Sequence, residues 1–134
     1  MKRIIIAALL TTALAACTSA PKSEIATLDV QRLAGYWPKY INNQNQINAD
    51  AAAIERSNAP ATEKTKLRAK LQDRYVQFQN EIASDLSSAS QQVANEKHLT
   101  MVFTRQATGF GGVDITPDVE KILKIDEAKA TPAP

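Results

Sequence analysis

Few residues of this chain are of the types that bind metals or act as nucleophiles. Cys17 is the only cysteine and His98 the only histidine, so a site built from several cysteine or histidine ligands is not expected. The glycine-rich stretch at residues 109–112 lacks the Lys-Ser or Lys-Thr pair of a phosphate-binding loop. Asp114 and Asp118 form a carboxylate pair that helix capping explains. The sequence therefore predicts no catalytic residue, no metal site, no cofactor and no enzyme.

Cys17 stands at the end of a segment that has the order of a secretory signal peptide. Lys2 and Arg3 begin it, and residues 4–13 are mostly apolar. This apolar run is shorter than the about 20 residues of a membrane span. The quartet Leu14-Ala15-Ala16-Cys17 resembles the bacterial lipobox, which implies cleavage after residue 16 and lipidation of the cysteine sulfur. An ordinary secretory signal with a chance cysteine is the alternative.

A lipidated Cys17 implies a periplasmic protein that is anchored to a membrane. Thr18 follows the cysteine, whereas Asp at that place favours the inner membrane in the lipoproteins that this chain resembles, so we expect the outer membrane. Loss of the signal peptide, residues 1–16, removes Lys2 and Arg3 and leaves 14 basic residues against 14 acidic ones. A neutral mature chain is not expected to bind nucleic acid.

The apolar spacing beyond the signal predicts a strand, two helices and a second strand. Residues 17–24 are predicted to be a polar tether, and residues 25–30 a strand. Apolar residues at helical spacing then predict a helix that ends at the turn signal of residues 57–60. These apolar residues are Tyr40, Ile47, Ala51 and Ile54, and the polar Gln44 interrupts the stripe between Tyr40 and Ile47. A second stripe predicts a helix over residues 61–97, about 55 Å long, with Leu67, Leu71, Tyr75, Phe78, Ile82, Leu86, Ala89 and Val93 on one face.

Two helices with one narrow apolar stripe each predict an antiparallel hairpin at about residues 38–98 that protrudes from the rest of the chain. Residues 99–104 alternate with a period of two and predict a strand. Thr116 is suited to cap a last short helix and Pro117 to begin it. Residues 126–134 are predicted to be a disordered tail.

Three stretches in this order resemble the Skp family of periplasmic chaperones, also called the OmpH family. They are residues 25–33, residues 93–103, and residues 112–123 with an Asp-Ile-Thr turn before the closing helix. The resemblance covers one domain, residues 25–125. It implies an α+β fold in which a small antiparallel β body oligomerises, usually as a trimer, and carries the hairpin and the short C-terminal helix. Short strands rarely bury a core alone, which favours an interface between subunits at Leu28, Val30, Met101, Val102 and Phe103.

The resemblance also implies a function, that of an ATP-independent holdase whose arms shelter unfolded outer-membrane proteins. Basic residues near the predicted hairpin tip could attract acidic clients or lipid head groups. Six of them against Glu63 and Asp73 give a charge of +4 over residues 56–74; they are Arg56, Lys64, Lys66, Arg68, Lys70 and Arg74. A solvated helix face with paired charges is the alternative interpretation of this cluster.

The chain departs from the family in its lipid anchor, its shorter arm and its neutral mature charge. A structural or adaptor lipoprotein, whose arms reach one folded partner, is therefore the alternative function. An accessory protein to a surface polysaccharide or a toxin is a third hypothesis, for which the sequence contains no specific feature. His98, at a helix end, and Trp37, beside Pro38, are expected to be structural.

Overall fold

The computed structural model of this protein describes residues 24–108 and 110–126. Their elements are, in chain order, β1 (Ile25–Leu28), α1 (Val30–Tyr36), α2 (Pro38–Arg56), α3 (Ala61–Glu96), β2 (Met101–Thr104), a 3₁₀ turn (Arg105–Ala107), β3 (Val113–Asp114) and α4 (Thr116–Ile122). The predicted signal peptide, Cys17, the tether up to residue 23 and the tail from residue 127 lie outside the described residues.

The three strands form one sheet with the order β2-β1-β3, and both pairings are parallel. Ile25 to Leu28 pair one by one with Met101 to Thr104, and Ala26 pairs with Val113. The antiparallel β body that the sequence predicted is therefore wrong. Both connections return the chain to the starting end of β1, so each new strand runs in the direction of β1.

The unequal lengths of the two long helices explain the parallel direction of β1 and β2. α2 has 19 residues, whereas α3 has 36. The chain leaves the end of β1, travels out along α2 and returns along α3. The extra 17 residues of α3, about 25 Å, carry it past the sheet to the starting end of β1. There the backbone N–H of Thr100 donates to the carbonyl oxygen of Glu24 at 2.8 Å, and β2 begins in the same direction as β1.

The connection from β2 to β3 crosses β1 in the eight residues 105–112. Parallel strands normally need a crossover of about a dozen residues, so this one must lie close to the sheet. Gly111 and Gly112 have φ angles of +90° and +89°. A Cβ atom on Gly112 would lie 2.8 Å from Cγ2 of Thr27 and 3.3 Å from the carbonyl oxygen of Ile25. Only glycine permits this close passage without strain.

The core of the body surrounds β1, of which Ala26, Thr27 and Leu28 are all buried. Helices α1, α3 and α4 and the residues that flank them supply the rest of the core, with the buried side chains of Leu33, Trp37, Ala89, Val93, Ile115, Val119 and Ile125. Leu28 is 4% exposed and is part of the core of its own chain, although the sequence placed it at a subunit interface. Val30 is half-buried and packs against the same core.

The two ends of the domain are joined by side chains at the exit of β1. The backbone N–H of Asp29 donates to Oγ1 of Thr116 at 2.9 Å, and Oδ1 of Asp29 accepts the N–H of Arg32 at the start of α1. Thr116 is the first residue of α4, and Oδ1 of Asp114 accepts its N–H at 2.9 Å. The predicted capping role of the Thr116 hydroxyl is therefore wrong, since tertiary packing turns this group towards Asp29.

Replacement of Gly112 by alanine tests the close passage over β1. We expect Gly112→Ala to lower the free energy of unfolding by about 1–3 kcal/mol, because the added Cβ meets Thr27 and requires a strained positive φ. The measurement is urea unfolding followed by circular dichroism.

Gly35→Ala is the matched control for this substitution. Gly35 lies in α1 at a negative φ, and a Cβ there meets nothing within 4 Å. Alanine should leave stability unchanged or raise it by up to about 1 kcal/mol through helix propensity. Equal losses at the two glycines would contradict the crossover geometry.

Candidate client-binding arm and free sheet edge

α2 and α3 form an antiparallel hairpin whose residue pairs fix its register. Lys39 at the base contacts Glu81 and Asp85 of α3, with 2.6 Å between Lys39 Nζ and Asp85 Oδ2. Asp50 contacts Arg74 farther out, and Glu55 contacts Arg68 near the tip. The residue number falls along one helix as it rises along the other. Ion pairs therefore bridge the two helices at the base, in the middle and near the tip.

The inner face of the hairpin is a narrow apolar seam. Ile47 and Phe78 are buried, and the rings of Tyr40 and Phe78 lie 5.9 Å apart. Beyond this point the predicted stripe residues are half-buried, namely Ala51, Ile54, Leu67, Leu71 and Tyr75. Ile82 is the α3 residue nearest the tip that packs against the core of the body. About 32 Å of hairpin therefore extends from Ile82 to Ala61 and encloses only its own seam.

Four of the six predicted client-binding residues are occupied by contacts within the hairpin. Arg68 donates to both carboxylate oxygens of Glu55, each at 2.8 Å, and Arg74 donates to Asp50. Lys64 donates to the carbonyl oxygen of Glu55 at 2.8 Å, and Arg56 donates to that of Ala52 at 3.2 Å.

Lys66 and Lys70 are the remaining two members of this cluster. Both are exposed, and neither has a hydrogen-bonding or ionic partner among residues 24–108 and 110–126. The structure also brings two carboxylates of α2 to the cluster, Asp50 and Glu55, which a linear window of residues 56–74 leaves out. Over residues 50–74 the charge is +2 instead of +4. A window of consecutive residues omits them because the partners of Arg68 and Arg74 lie on the other helix, 13 and 24 positions away along the chain.

The guanidinium groups shift the titration of the two carboxyls that they contact. The hydrogen bond from Arg74, with a smaller contribution from Gln46, holds the pKa of Asp50 below its ordinary value of 3.8. The hydrogen bonds from Arg68 hold the pKa of Glu55 below its ordinary value of 4.5. Both carboxylates are therefore charged at neutral pH, and the arm keeps its bridges there.

β2 is an edge strand with an apolar surface. It pairs with β1 on one side, and among the described residues no strand pairs with its other side. Met101, Val102 and Phe103 are 50%, 36% and 39% exposed. An exposed apolar edge of this kind is a template for a further strand or another chain. Three of the five predicted interface residues are therefore accessible at one place, whereas Leu28 and Val30 pack within the chain.

A groove lies between β2 and the last third of α3, and we call it the sheet groove. Its volume is about 520 Å³ and no charged side chain lines it; its walls include Val30, Leu86, Ser90, Ala94, Leu99 and Val102. A second uncharged groove, here called the corner groove, lies beside Trp37 and Tyr40 and shares Val30 and Leu86 with the first. Apolar surface thus continues from the sheet edge to the base of the hairpin.

His98 and Gly112 have backbone roles. His98 has a φ angle of +56° two positions after the last residue of α3, and its N–H donates to the carbonyl oxygen of Asn95. Gly112 permits the crossing of β1 because a Cβ there would meet Thr27. Trp37 is buried at the corner between α1 and α2. No group of three histidine, cysteine or acidic residues is placed to hold a metal ion within the part of the chain that the structure describes.

No family model, no curated protein and no solved structure matches this chain. The resemblance to the Skp family therefore stays a prediction from the sequence. None of the helices in the described ranges is long and apolar enough to cross a bilayer.

Acid should weaken the hairpin because its bridging carboxyls have lowered pKa values. A carboxyl with a lower pKa in the folded state stabilises the fold fully above its unfolded pKa, and the stabilisation is lost as the pH falls through the folded value. We expect the free energy of unfolding to fall as the pH drops below about 4.5, the ordinary value for Glu55, and to fall less in the double variant Asp50→Asn with Glu55→Gln. Urea unfolding at several pH values measures this difference.

Asp73→Asn is the control for this titration, since Asp73 is exposed on α3 and has no ionic partner among the described residues. It should keep the pH dependence of the parent chain. An unchanged pH dependence in the double variant would contradict the contribution of the two bridges.

Proposed function

We propose that this chain is a lipid-anchored, ATP-independent holdase of the bacterial periplasm that binds unfolded outer-membrane proteins. The observation that carries the proposal is the projecting hairpin, which encloses only its own apolar seam over about 32 Å. A segment of this length adds nothing to the core of the body. Its outer surface is therefore available to another polypeptide along its whole length.

Capture by this arm would be loose and spread over many points. The corner groove at the base offers uncharged apolar surface, and Val76 is 47% exposed on the outer face of α3. Lys66 and Lys70 add two unpaired ammonium groups near the tip. Each contact is weak by itself and does not fix the fold of the client. Many such contacts together would keep the client from aggregating.

Lipidation of Cys17 and self-association through β2 complete the proposal. Two or more acyl chains hold a protein firmly on a membrane, and several anchored copies under one body hold it more firmly still. The exposed residues Met101, Val102 and Phe103 favour association of copies at the sheet edge, since such an edge is seldom left open in a native protein. The outer membrane is the proposed anchoring site.

The mature chain with Cys17→Ser should slow the aggregation of an urea-unfolded outer-membrane protein after dilution. The expected result is a lower light-scattering rate without ATP. The substitution removes the anchor but touches no described contact, so the variant should fold and leave the membrane fraction. Equal aggregation with the chain and with an inert protein of the same size would contradict the proposal, as would an unfolded Cys17→Ser variant.

The two unpaired lysines should contribute to client binding at low salt. We expect Lys66→Gln with Lys70→Gln to weaken the binding of an acidic client by between about twofold and tenfold, and the difference to shrink at high salt. Fluorescence anisotropy of a labelled client measures both affinities. Lys121→Gln with Lys124→Gln removes the same charge from the body and should leave the affinity unchanged. Equal losses in the two double variants would show a general charge effect instead of a site.

An adaptor lipoprotein is the second candidate function, and the ion pairs of the hairpin favour it. Bridges at three levels hold α2 and α3 in one register. A stiff arm suits one folded partner at a fixed distance from the membrane. Crosslinking in the envelope separates the two functions, because a single stoichiometric partner without aggregation-suppressing activity supports the adaptor, whereas many unfolded partners support the holdase.

A further inference from the structure

The two outer edges of the sheet differ in shape and chemistry. The β2 edge has four residues and the sheet groove beside it. The β3 edge has two residues, and the turn that leads into it carries Phe110, whose side chain is fully exposed. Of the aromatic residues in the described ranges, only Phe110 has a side chain that is fully exposed to solvent. One edge thus offers a cavity and the other a projecting ring.

The sheet groove lies where the side chains of a fourth strand would pack. Paired residues of parallel strands point to the same face, so Val102 shares a face with Ala26, and Thr104 with Leu28. Val102, Thr104 and Leu28 all line the groove, together with Leu86 and Ala94 of α3. A strand added beside β2 would place every second side chain into this space. The groove therefore marks the missing neighbour of β2.

The turn before β3 is uncharged, as the sheet groove is, and its last residue, Gly112, lies against β1. Residues 108–112 contain no charged side chain, and neither does the lining of the groove, in a chain with 22% charged residues. Burial of Phe110 in the groove would therefore remove no ion from water. Gly112 lies against Thr27, so the crossing of β1 determines where the turn emerges from the sheet.

We propose that Phe110 of one copy inserts into the sheet groove of a second copy, so that copies associate head to tail. This inference rests on the self-association in the proposed function and names the contact that produces it. The ring and the groove belong to different edges of the same chain, so every copy both supplies a ring and accepts one. Such a heterologous contact produces a closed cyclic oligomer when the rotation between neighbouring copies permits closure. It also covers the exposed edge of β2.

A crosslinking experiment with cysteine pairs tests the contact directly. Cys17 is the only cysteine, so the mature Cys17→Ser chain is free of thiols and can receive new ones. Phe110→Cys is made in one sample and Ser87→Cys in another, because Ser87 lines the sheet groove and is exposed. A short bis-maleimide should join the two samples into a mixed dimer after mixing. Ser57→Cys, at the tip of the hairpin, replaces Ser87→Cys as the control and should give none.

A ring truncation measures the contribution of the contact without a crosslinker. We expect Phe110→Ala to weaken self-association of the full mature chain at least about tenfold in analytical ultracentrifugation. Val76→Ala removes an exposed apolar side chain from α3 and should leave the association constant unchanged. Circular dichroism should be the same for both variants, since neither side chain packs in the core.

Several outcomes would overturn the inference. They are a monomeric parent chain, an association constant that Phe110→Ala leaves unchanged, a crosslink between two copies of Phe110→Cys in place of the mixed pair, and a crosslink from Ser87→Cys to an unfolded client instead of to Phe110→Cys. A monomer that still suppresses aggregation would remove this contact and leave the holdase function intact. A chain that associates through Phe110 but binds no client would leave this contact intact and remove the holdase function.

Discussion

Burial of β1 on both of its faces constrains every other element of the body. The strand has only four residues, and three of them are buried, so both faces need cover within a few ångströms. Helices α1, α3 and α4 surround its apolar side chains, while the chain at Gly112 lies against Thr27. β2 and β3 occupy its two edges. A strand this short has no stability of its own, so the body forms only when all of these parts meet on it.

The hairpin differs from the body because it has no wide core and depends instead on the length of its helices and on the ion pairs between them. Its inner seam is one side chain wide, and exposed ion pairs bridge its helices at three levels. Exposed pairs of this kind add little stability each, but they fix which residues lie opposite one another. The extra length of α3 also belongs to the body, because it returns the chain to the start of β1. The same helix thus forms half of the arm and one wall of the core.

These two constructions separate the tasks that the proposed function requires. A segment before β1 would attach the protein to the membrane, the body would join copies through the edges of its sheet, and the arm would remain free for clients. The uncharged surface that runs from the sheet groove to the corner groove connects the last two tasks. A neighbour that covers β2 would leave the corner groove and the outer hairpin open. Association of copies and capture of clients would therefore use different parts of one continuous surface.

The helices could be predicted from the sequence because their signals are local. The turn at residues 57–60 ends α2, and α3 begins at Ala61 as its spacing indicates. The apolar stripes of both helices are buried or half-buried at every predicted position. The existence of strands near residues 25–28 and 101–104 was likewise predictable from β-branched residues and period-two alternation.

Tertiary structure alone decided the direction of the strands, the partner of each basic side chain and the burial of Leu28. Strand direction depends on where α3 returns the chain relative to β1, and the contact that sets this, between Thr100 and Glu24, spans 76 positions of sequence. The partners of Arg68 and Arg74 depend on the register between helices, which brings Glu55 and Asp50 from outside the basic stretch. Thr116 contacts Asp29 across 87 positions of sequence, so a local rule assigned its hydroxyl to a cap that it does not form. The sequence by itself determined the elements and their apolar faces, because these depend on near neighbours; contacts between distant residues determined the sheet and the free charges, because they exist only after the chain has folded.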